Sequence, residues 1–234
     1  MRNSIKFNGK SLADFGVYVS GNGTYNSPKR DYEWIEIPGH DGSFVIDNHR
    51  FENIEITYPA FIVRDFSENY TAMVNFLLSS SGYQRLDDTY HPLEYRLALF
   101  TGPIEPTMTS RLHEGSFDLK FTCKPQRYLK SGDVSQGFIE SGSIINPTLL
   151  HAKPLIRVYG TGEVKIGTGI ITINKAGDAY IDIDCEIMDA YEGTNNRNSN
   201  ITVEKWPELV PGSNDVVLGD GITKIEVKPR WWKI

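Results

Sequence analysis

In the first half of the chain, hydrophobic residues recur mainly at every second position. That is the period of a β-strand with one buried face. In residues 117–123 every second side chain is apolar and the intervening ones are polar. The apolar sets that predict strands in this half are Phe117-Leu119-Phe121-Cys123, Ile54-Ile56-Tyr58, Tyr95-Leu97-Leu99, and Ile5-Phe7, which leads into the hairpin-turn pair Asn8-Gly9. We expect the N-terminus to begin in a sheet.

One segment has a helical period instead. Apolar side chains recur at spacings of three and four residues, which predicts an amphipathic helix near residues 66–80; they are Phe66, Tyr70, Met73, Val74 and Leu77. Asp65 and Glu68 can close a capping box at its start, and Gly82 can end it. The apolar stripe must pack against the neighbouring strands, so the first half is predicted to be α+β.

A stretch rich in Gly, Ser and turn-forming residues separates the two halves and predicts a domain junction. We assign residues 1–132 to an N-terminal domain, 133–153 to a linker and 154–234 to a C-terminal domain. Short alternating runs with glycine-rich turns and no helical period predict a β-sandwich in the C-terminal domain. These runs are Leu155–Tyr159, Glu163–Ile166, Gly169–Ile173, Tyr180–Cys185, Ile201–Val203, Val216–Leu218 and Thr223–Val227.

Composition indicates a folded protein. Of the 234 residues, 39% are hydrophobic and 23% charged, as in an ordinary packed protein. The net charge of −6, with both signs interspersed, provides no cationic stripe for a phosphate backbone. The first residues lack the apolar run of a signal peptide, and no stretch approaches the roughly 18 apolar residues of a membrane span. We expect assembly in a cytoplasm, without nucleic-acid binding or membrane insertion.

The sequence offers no convincing catalytic or metal site. Cys123 and Cys185 lie far apart without histidines nearby, which predicts buried thiols and not a zinc site. The five histidines are scattered without ligand spacing: His40, His49, His91, His113 and His151. An enzyme normally shows a nucleophile with a base, a carboxylate pair or a cluster of metal ligands. We therefore expect no catalytic residue, no metal and no cofactor.

Two features have both a chemical and a structural interpretation. Asp182, Asp184 and Glu186 recur at period two and could gather a cation such as calcium. Because apolar residues alternate with them, the favoured interpretation is the solvated face of a half-buried strand. Trp231 and Trp232 could stack on sugar rings, but a terminal strand anchored in the sandwich is the commoner outcome.

Ordered landmarks run along nearly the whole chain. In the first half they are Phe7-Asn8-Gly9, Phe15-Gly16-Val17, IPGHDGSF (37–44), Phe51-Glu52-Asn53, GYQRL (82–86), Tyr90-His91-Pro92 and FTCKPQRY (121–128). In the second half they are Asn146-Pro147-Thr148, Ala152-Lys153-Pro154, YGTG (159–162), YIDIDC (180–185), PELVPGSN (207–214) and PRWW (229–232). Together and in this order, they resemble the distal tail protein family of siphophages that infect Gram-positive bacteria.

The resemblance implies a mainly β protein in two parts. The N-terminal α+β domain, with β-sheets or a split barrel and one amphipathic helix, would close into a homohexameric ring, and the C-terminal domain would be a galectin-like β-sandwich. Such a ring is a structural hub at the virion tail tip, not an enzyme. The implied partners are copies of the chain itself, the tail-tube protein, the tail-associated fibre or lysin protein and receptor-binding proteins. Tyr25, Tyr32 and Trp34 are candidates for the ring surface, with a core position as the alternative for Trp34.

Two other functions stay open at this stage. A host-surface carbohydrate-binding module is suggested by the sandwich half and by Trp206, Trp231 and Trp232, although the galectin strand pattern His-x-Asn-Pro-Arg is absent. An enzyme such as a cell-wall hydrolase would need an acid and a nucleophile or metal. Loss of such an activity on mutation of Asp182 or Asp184 would favour this third hypothesis.

Overall fold

Strands dominate both halves of the chain. A computed structural model describes residues 2–108 and 113–234. It divides the chain into two units, the first ending at Arg127 and also containing Ile234, the second running from Tyr128 to Lys233. None of the described helices is long and apolar enough to cross a membrane. The predicted fold class, an α+β half followed by a β-sandwich, is confirmed.

The first unit combines one large sheet, a separate hairpin and one helix. Its strands are β1 (Ile5–Phe7), β2 (Lys10–Ser11), β3 (Val17–Val19), β4 (Arg30–Glu36), β5 (Ser43–Phe51), β6 (Ile54–Ile62), β7 (Gln84–Asp88), β8 (Glu94–Leu99), β9 (Thr107–Met108) and β10 (Gly115–Leu129), whose last two residues belong to the second unit. Helix α1 is Phe66–Ser79. Seven strands pair in the order β2-β1-β7-β8-β10-β6-β3, β9 adds to β10, and β4 pairs with β5 alone.

The apolar residues that alternate along β6 and β10 form part of the hydrophobic core of the first unit. β6 and β10 pair antiparallel, with Ile56 opposite Phe121 and Tyr58 opposite Leu119, and all four side chains are buried. Positive φ angles at Asn8 (45°) and Gly9 (79°) agree with the predicted hairpin turn between β1 and β2. The expectation that the chain begins in a sheet is confirmed.

Helix α1 confirms the predicted helix, but its start differs from the prediction. Phe66, Met73 and Leu77 are buried in the same core as the strands. Asp65 is the residue before the helix, yet its side chain makes no capping hydrogen bond. The backbone of Asp65 is left-handed (φ 49°). A capping residue normally has an extended backbone, from which its side chain accepts a hydrogen bond from an N–H of the first turn. The predicted capping box is therefore wrong.

Strand β8 exists as predicted, but the opposite face is buried. Arg96 and Ala98 are 6% and 0% exposed, whereas Tyr95, Leu97 and Leu99 are only half-buried. Apolar side chains occur on both faces of β8, so alternation alone does not determine which face packs inward. On the outer face, the guanidinium of Arg85 lies 3.9 Å from the centroid of the Tyr95 ring.

The second unit consists of two sheets around one core. Its strands are β11 (Gln136–Phe138), β12 (Gly142–Asn146), β13 (Leu155–Gly160), β14 (Gly162–Ile166), β15 (Gly169–Ile173), β16 (Ile181–Asp184), β17 (Asp189–Glu192), β18 (Asn195–Asn196), β19 (Ile201–Lys205), β20 (Gly212–Leu218), β21 (Ile222–Lys228) and β22 (Trp232–Lys233). One sheet has the order β11-β21-β13-β16-β17-β18 and the other β12-β20-β14-β15-β19. All seven predicted strand runs coincide with strands.

The stretch assigned to a linker, residues 133–153, belongs to the second unit. β11 pairs with β21, and β12 pairs with β20. Both strands lie at sheet edges, each with one neighbour. An edge strand has fewer side chains to bury, so its sequence shows weak alternation and looks like a junction. The linker assignment is therefore corrected.

Candidate interaction surface

The acidic residues of β16 are not solvated, contrary to the sequence-based interpretation. Asp182 and Asp184 are 6% and 7% exposed. The guanidinium of Arg157 donates to both oxygens of Asp182 at 2.7 and 2.9 Å, and that of Arg230 donates to both oxygens of Asp184 at 2.7 Å. Two-point ion pairs offset the cost of burying a carboxylate. The arginines come from distant segments of sequence, so local alternation could not reveal them.

The pKa of Asp184 reflects its environment. Burial raises the pKa of Asp184. The hydrogen bonds and charge of Arg230 and the backbone N–H of Glu186 together lower the pKa by more than burial raises it, so it lies below its ordinary value of 3.8. Asp184 therefore stays ionised and serves as a structural anchor for Arg230. Among the described residues, no group of three or more His, Cys, Asp or Glu side chains is placed to hold a metal ion.

The tryptophans that suggested sugar binding lie in or against the sandwich core. Trp231 is 3% exposed, and Trp206 and Trp232 are half-buried against the same core. The indole N–H of Trp232 donates to the carbonyl of His151 at 2.8 Å. The anchoring interpretation fits these positions.

A buried polar cluster in the first unit was not foreseen from sequence. The hydroxyl of Tyr58 donates to Asp88 at 2.8 Å, and the ring Nδ1 of His91 lies 3.1 Å from the same carboxylate. Nearby Arg96 is 6% exposed, and neither of its terminal nitrogens has a hydrogen-bond partner among the described protein groups. Burial lowers the pKa of Arg96. Arg96 is thus a buried cation without a direct carboxylate partner.

Replacing Arg96 by methionine is expected to raise the free energy of unfolding by about 1–3 kcal/mol, because an unsatisfied buried donor is removed and the apolar stem is kept. The matched control is Arg127→Met. Arg127 is paired with Glu94 at 2.6 Å, so this change should lower stability. Urea titration of both variants measures the difference. A loss of stability in Arg96→Met would show that the guanidinium makes a stabilising interaction.

The most exposed apolar surface of the first unit is the hairpin of β4 and β5, residues 30–51, which we call the arm. Its strands are hydrogen-bonded only to each other among the described residues. No arm residue belongs to either hydrophobic core. Seven large apolar side chains on it are between 39% and 65% exposed: Tyr32, Trp34, Ile35, Ile37, Phe44, Val45 and Ile46.

Apolar side chains cover both faces of the arm. Cross-strand pairing places Trp34 opposite Val45 and Tyr32 opposite Asp47, so Tyr32, Trp34, Val45 and Glu36 share one face, the Trp34 face. Ile35 pairs with Phe44 and Glu33 with Ile46, which defines the Phe44 face. A two-stranded hairpin that packs on nothing is at best marginally stable in water. Both faces of the arm therefore need a covering partner.

Ion pairs fix the base of the arm. Arg30 donates to Asp47 at 3.0 Å, Arg50 pairs with Asp31, and Lys29 pairs with Glu52. The backbone N–H of His49 is the largest cause that lowers the pKa of Asp47, and the hydrogen bonds and charge of Arg30 also lower it. A β-bulge between Asp47 and Phe51, with His49 at φ 54°, increases the local twist.

The sequence identified part of this surface. Tyr25, Tyr32 and Trp34, the candidates for an interface, are 72%, 39% and 63% exposed, so the core alternative for Trp34 is not realised. The five aliphatic and phenyl side chains of the arm were missed. The signal was present: apolar residues at both odd and even positions on either side of Pro38-Gly39 are unusual for a strand pair with one solvated face.

Comparison with known proteins supports the fold. The sequence matches no protein-family model and no curated protein. Among solved structures, the Dit protein of phage SPP1, described as a paradigm of the hub adsorption apparatus in phages infecting Gram-positive bacteria, is similar over 100% of both chains (TM-score 0.71, identity 14%). A chain of the activated phage p2 baseplate is similar over 98% of this chain and 99% of that chain (TM-score 0.50, identity 12%). Over its whole length, the chain has the fold of these phage hub and baseplate proteins, as the resemblance to distal tail proteins had implied.

Proposed function

We propose that this chain is a structural protein of a phage tail tip, in which six copies form a ring that joins the tail tube to the host-adsorption proteins. The proposal is supported by the full-length similarity to the SPP1 hub protein. The proposed partners besides the chain itself are the tail-tube protein, the tail-associated fibre or lysin protein and receptor-binding proteins. The role needs neither a catalytic residue nor a cofactor, and we assign assembly to the host cytoplasm.

The arm is the observation within the molecule that carries the proposal. One partner surface can cover only one face of a two-stranded ribbon, and both faces expose large apolar side chains. Such a surface is costly in a free monomer and typical of a permanent interface. Identical subunits that join through two different surfaces close into a ring when their rotation permits. An arm that reaches out of each subunit provides one of those two surfaces.

Mass measurement of the purified protein tests the ring. Native mass spectrometry is expected to show a species of six times the 26.4 kDa chain. The variant Trp34→Ser/Phe44→Ser, which removes one large side chain from each face of the arm, should shift the protein to smaller species. Leu149→Ser is the matched control, because Leu149 is 91% exposed and lies outside the arm. A wild-type chain that remains monomeric at every concentration would contradict the proposed ring.

A further inference from the structure

A second surface of the first unit has the opposite electrostatic character to the arm. A pocket of about 290 Å³ is lined by Arg2, Gly16, Tyr18, Val63, Arg64 and Asn69. The Arg2 guanidinium lies 5.0 Å from the centroid of the Tyr18 ring, and the Asn69 side chain donates to the Arg64 carbonyl at 3.0 Å, which fixes the backbone at the pocket rim. Both arginines are exposed, and neither pairs with a carboxylate among the described residues.

The distal part of the arm carries unpaired negative charge. Residues 33–46 contain three carboxylates, Glu33, Glu36 and Asp41, and no lysine or arginine. None of the three forms an ion pair within the part of the chain that the structure describes. This contrasts with the base of the arm, where Asp31 and Asp47 are each paired with an arginine. The exposed end of the arm is therefore both apolar and acidic.

The two faces of the arm fit an arginine-lined pocket unequally. The Trp34 face presents two aromatic rings, Tyr32 and Trp34, together with the free carboxylate of Glu36. A guanidinium stacks on aromatic rings and binds a carboxylate at two points, so this face offers both interactions that arginine prefers. The Phe44 face offers mainly aliphatic side chains around Glu33. Charge and side-chain chemistry thus favour the Trp34 face.

We propose that the Arg2–Arg64 pocket of one copy receives the Trp34 face of the arm of a second copy, with Glu36 paired to Arg64 and the Tyr32 and Trp34 rings against the guanidinium groups. The pairing rests on the self-assembly proposed above and specifies its interface. Arm and pocket are different surfaces of the same unit, so the contact runs head to tail. Each subunit gives its arm to one neighbour and its pocket to the other, which is the arrangement that a closed ring requires.

Charge reversal tests this pairing. Glu36→Lys and Arg64→Glu are each expected to abolish the six-copy species at concentrations where the wild type is fully assembled. Mixing the two variants should restore it, because a lysine arm then meets a glutamate pocket and a glutamate arm meets an arginine pocket, alternately around the ring. Glu33→Lys is the matched control: it makes the same charge change on the Phe44 face, which the pocket does not receive, so mixing it with Arg64→Glu should not restore the six-copy species.

Restoration on mixing would support the pairing directly, since two misfolded variants cannot complement each other. If a reversed variant fails to fold by circular dichroism, Glu36→Gln and Arg64→Gln replace it, and each should weaken assembly. The arm–pocket pairing would be overturned if the six-copy species persists in both reversed variants, or if the two variants do not assemble when mixed. Neither result would contradict the proposed ring itself. A wild-type monomer would overturn the ring and the pairing together.

Discussion

Replacing Asp184 by alanine is expected to lower the free energy of unfolding of the second unit by about 3–5 kcal/mol, because the Arg230 guanidinium loses both of its short hydrogen bonds to a carboxylate and keeps only the partly exposed Glu186 at 3.7 Å. Both terminal nitrogens of Arg230 bind Asp184 at 2.7 Å, and the two side chains are only 20% and 10% exposed. Chemical denaturation followed by tryptophan fluorescence measures the loss, since Trp231 is buried in this core. A loss below about 1 kcal/mol would place the pair among solvated surface ion pairs.

Two controls sharpen this result. Asp182→Ala removes a pair of the same two-point geometry, but 37% of the Arg157 side chain is exposed, so its loss should be clearly smaller. The double change Asp184→Ala/Arg230→Ala should cost less than Asp184→Ala alone, because no buried charge is left without its hydrogen-bonded partner and Glu186 is exposed. The pKa of Asp184 is lowered in the folded state, so its contribution is present above pH 3.8 and is lost as the pH falls through the folded-state pKa. The difference between wild type and Asp184→Ala should shrink accordingly on acidification.

Phe121→Ala is expected to destabilise the first unit by about 3–5 kcal/mol, the usual cost of removing a fully buried phenyl ring. Phe121 is 1% exposed, and its ring centroid lies 5.3 Å from that of Phe7, 5.4 Å from Phe100 and 6.2 Å from Tyr58. These rings belong to four separate segments, so the cavity cannot close by moving one of them. Thermal unfolding measures the effect, and Lys120→Ala, on the solvated face of the same strand, should change little. Equal effects of the two substitutions would contradict the observed register.

Periodicity along the chain was sufficient to predict most of the secondary structure. The alternation from Phe117 to Cys123 and the spacing of three and four residues from Phe66 to Leu77 each mark one buried face. Which side chains share a face depends only on the local period of the strand or helix, so the sequence is enough to predict it. Where both faces carry apolar residues, as in β8, periodicity predicted the strand correctly but predicted that the wrong face is buried. β11 and β12 were mistaken for a linker because edge strands bury little.

Contacts between distant segments could not be read from the sequence. The burial of Asp182 and Asp184 depends on Arg157 and Arg230, which lie 25 and 46 residues away from their respective partners. Similarly, the apolar residues around Pro38-Gly39 are visible in the sequence, but a pattern does not show whether a hairpin packs on its own unit or stands free. The resemblance singled out Tyr32 and Trp34 as interface candidates, but the whole arm was recognised only from its strands, which pair with each other alone among the described residues.

Each unit contains one cysteine, and both thiols are enclosed. Cys123 and Cys185 are 0% and 1% exposed. Burial raises the pKa of Cys123 to about 12 and also raises that of Cys185. Because only an accessible thiolate attacks an alkylating reagent, neither sulfur reacts until the structure around it opens. Each unit thus contains a natural probe of its own unfolding, because the rate at which a reagent labels its cysteine measures how often that unit unfolds locally or globally.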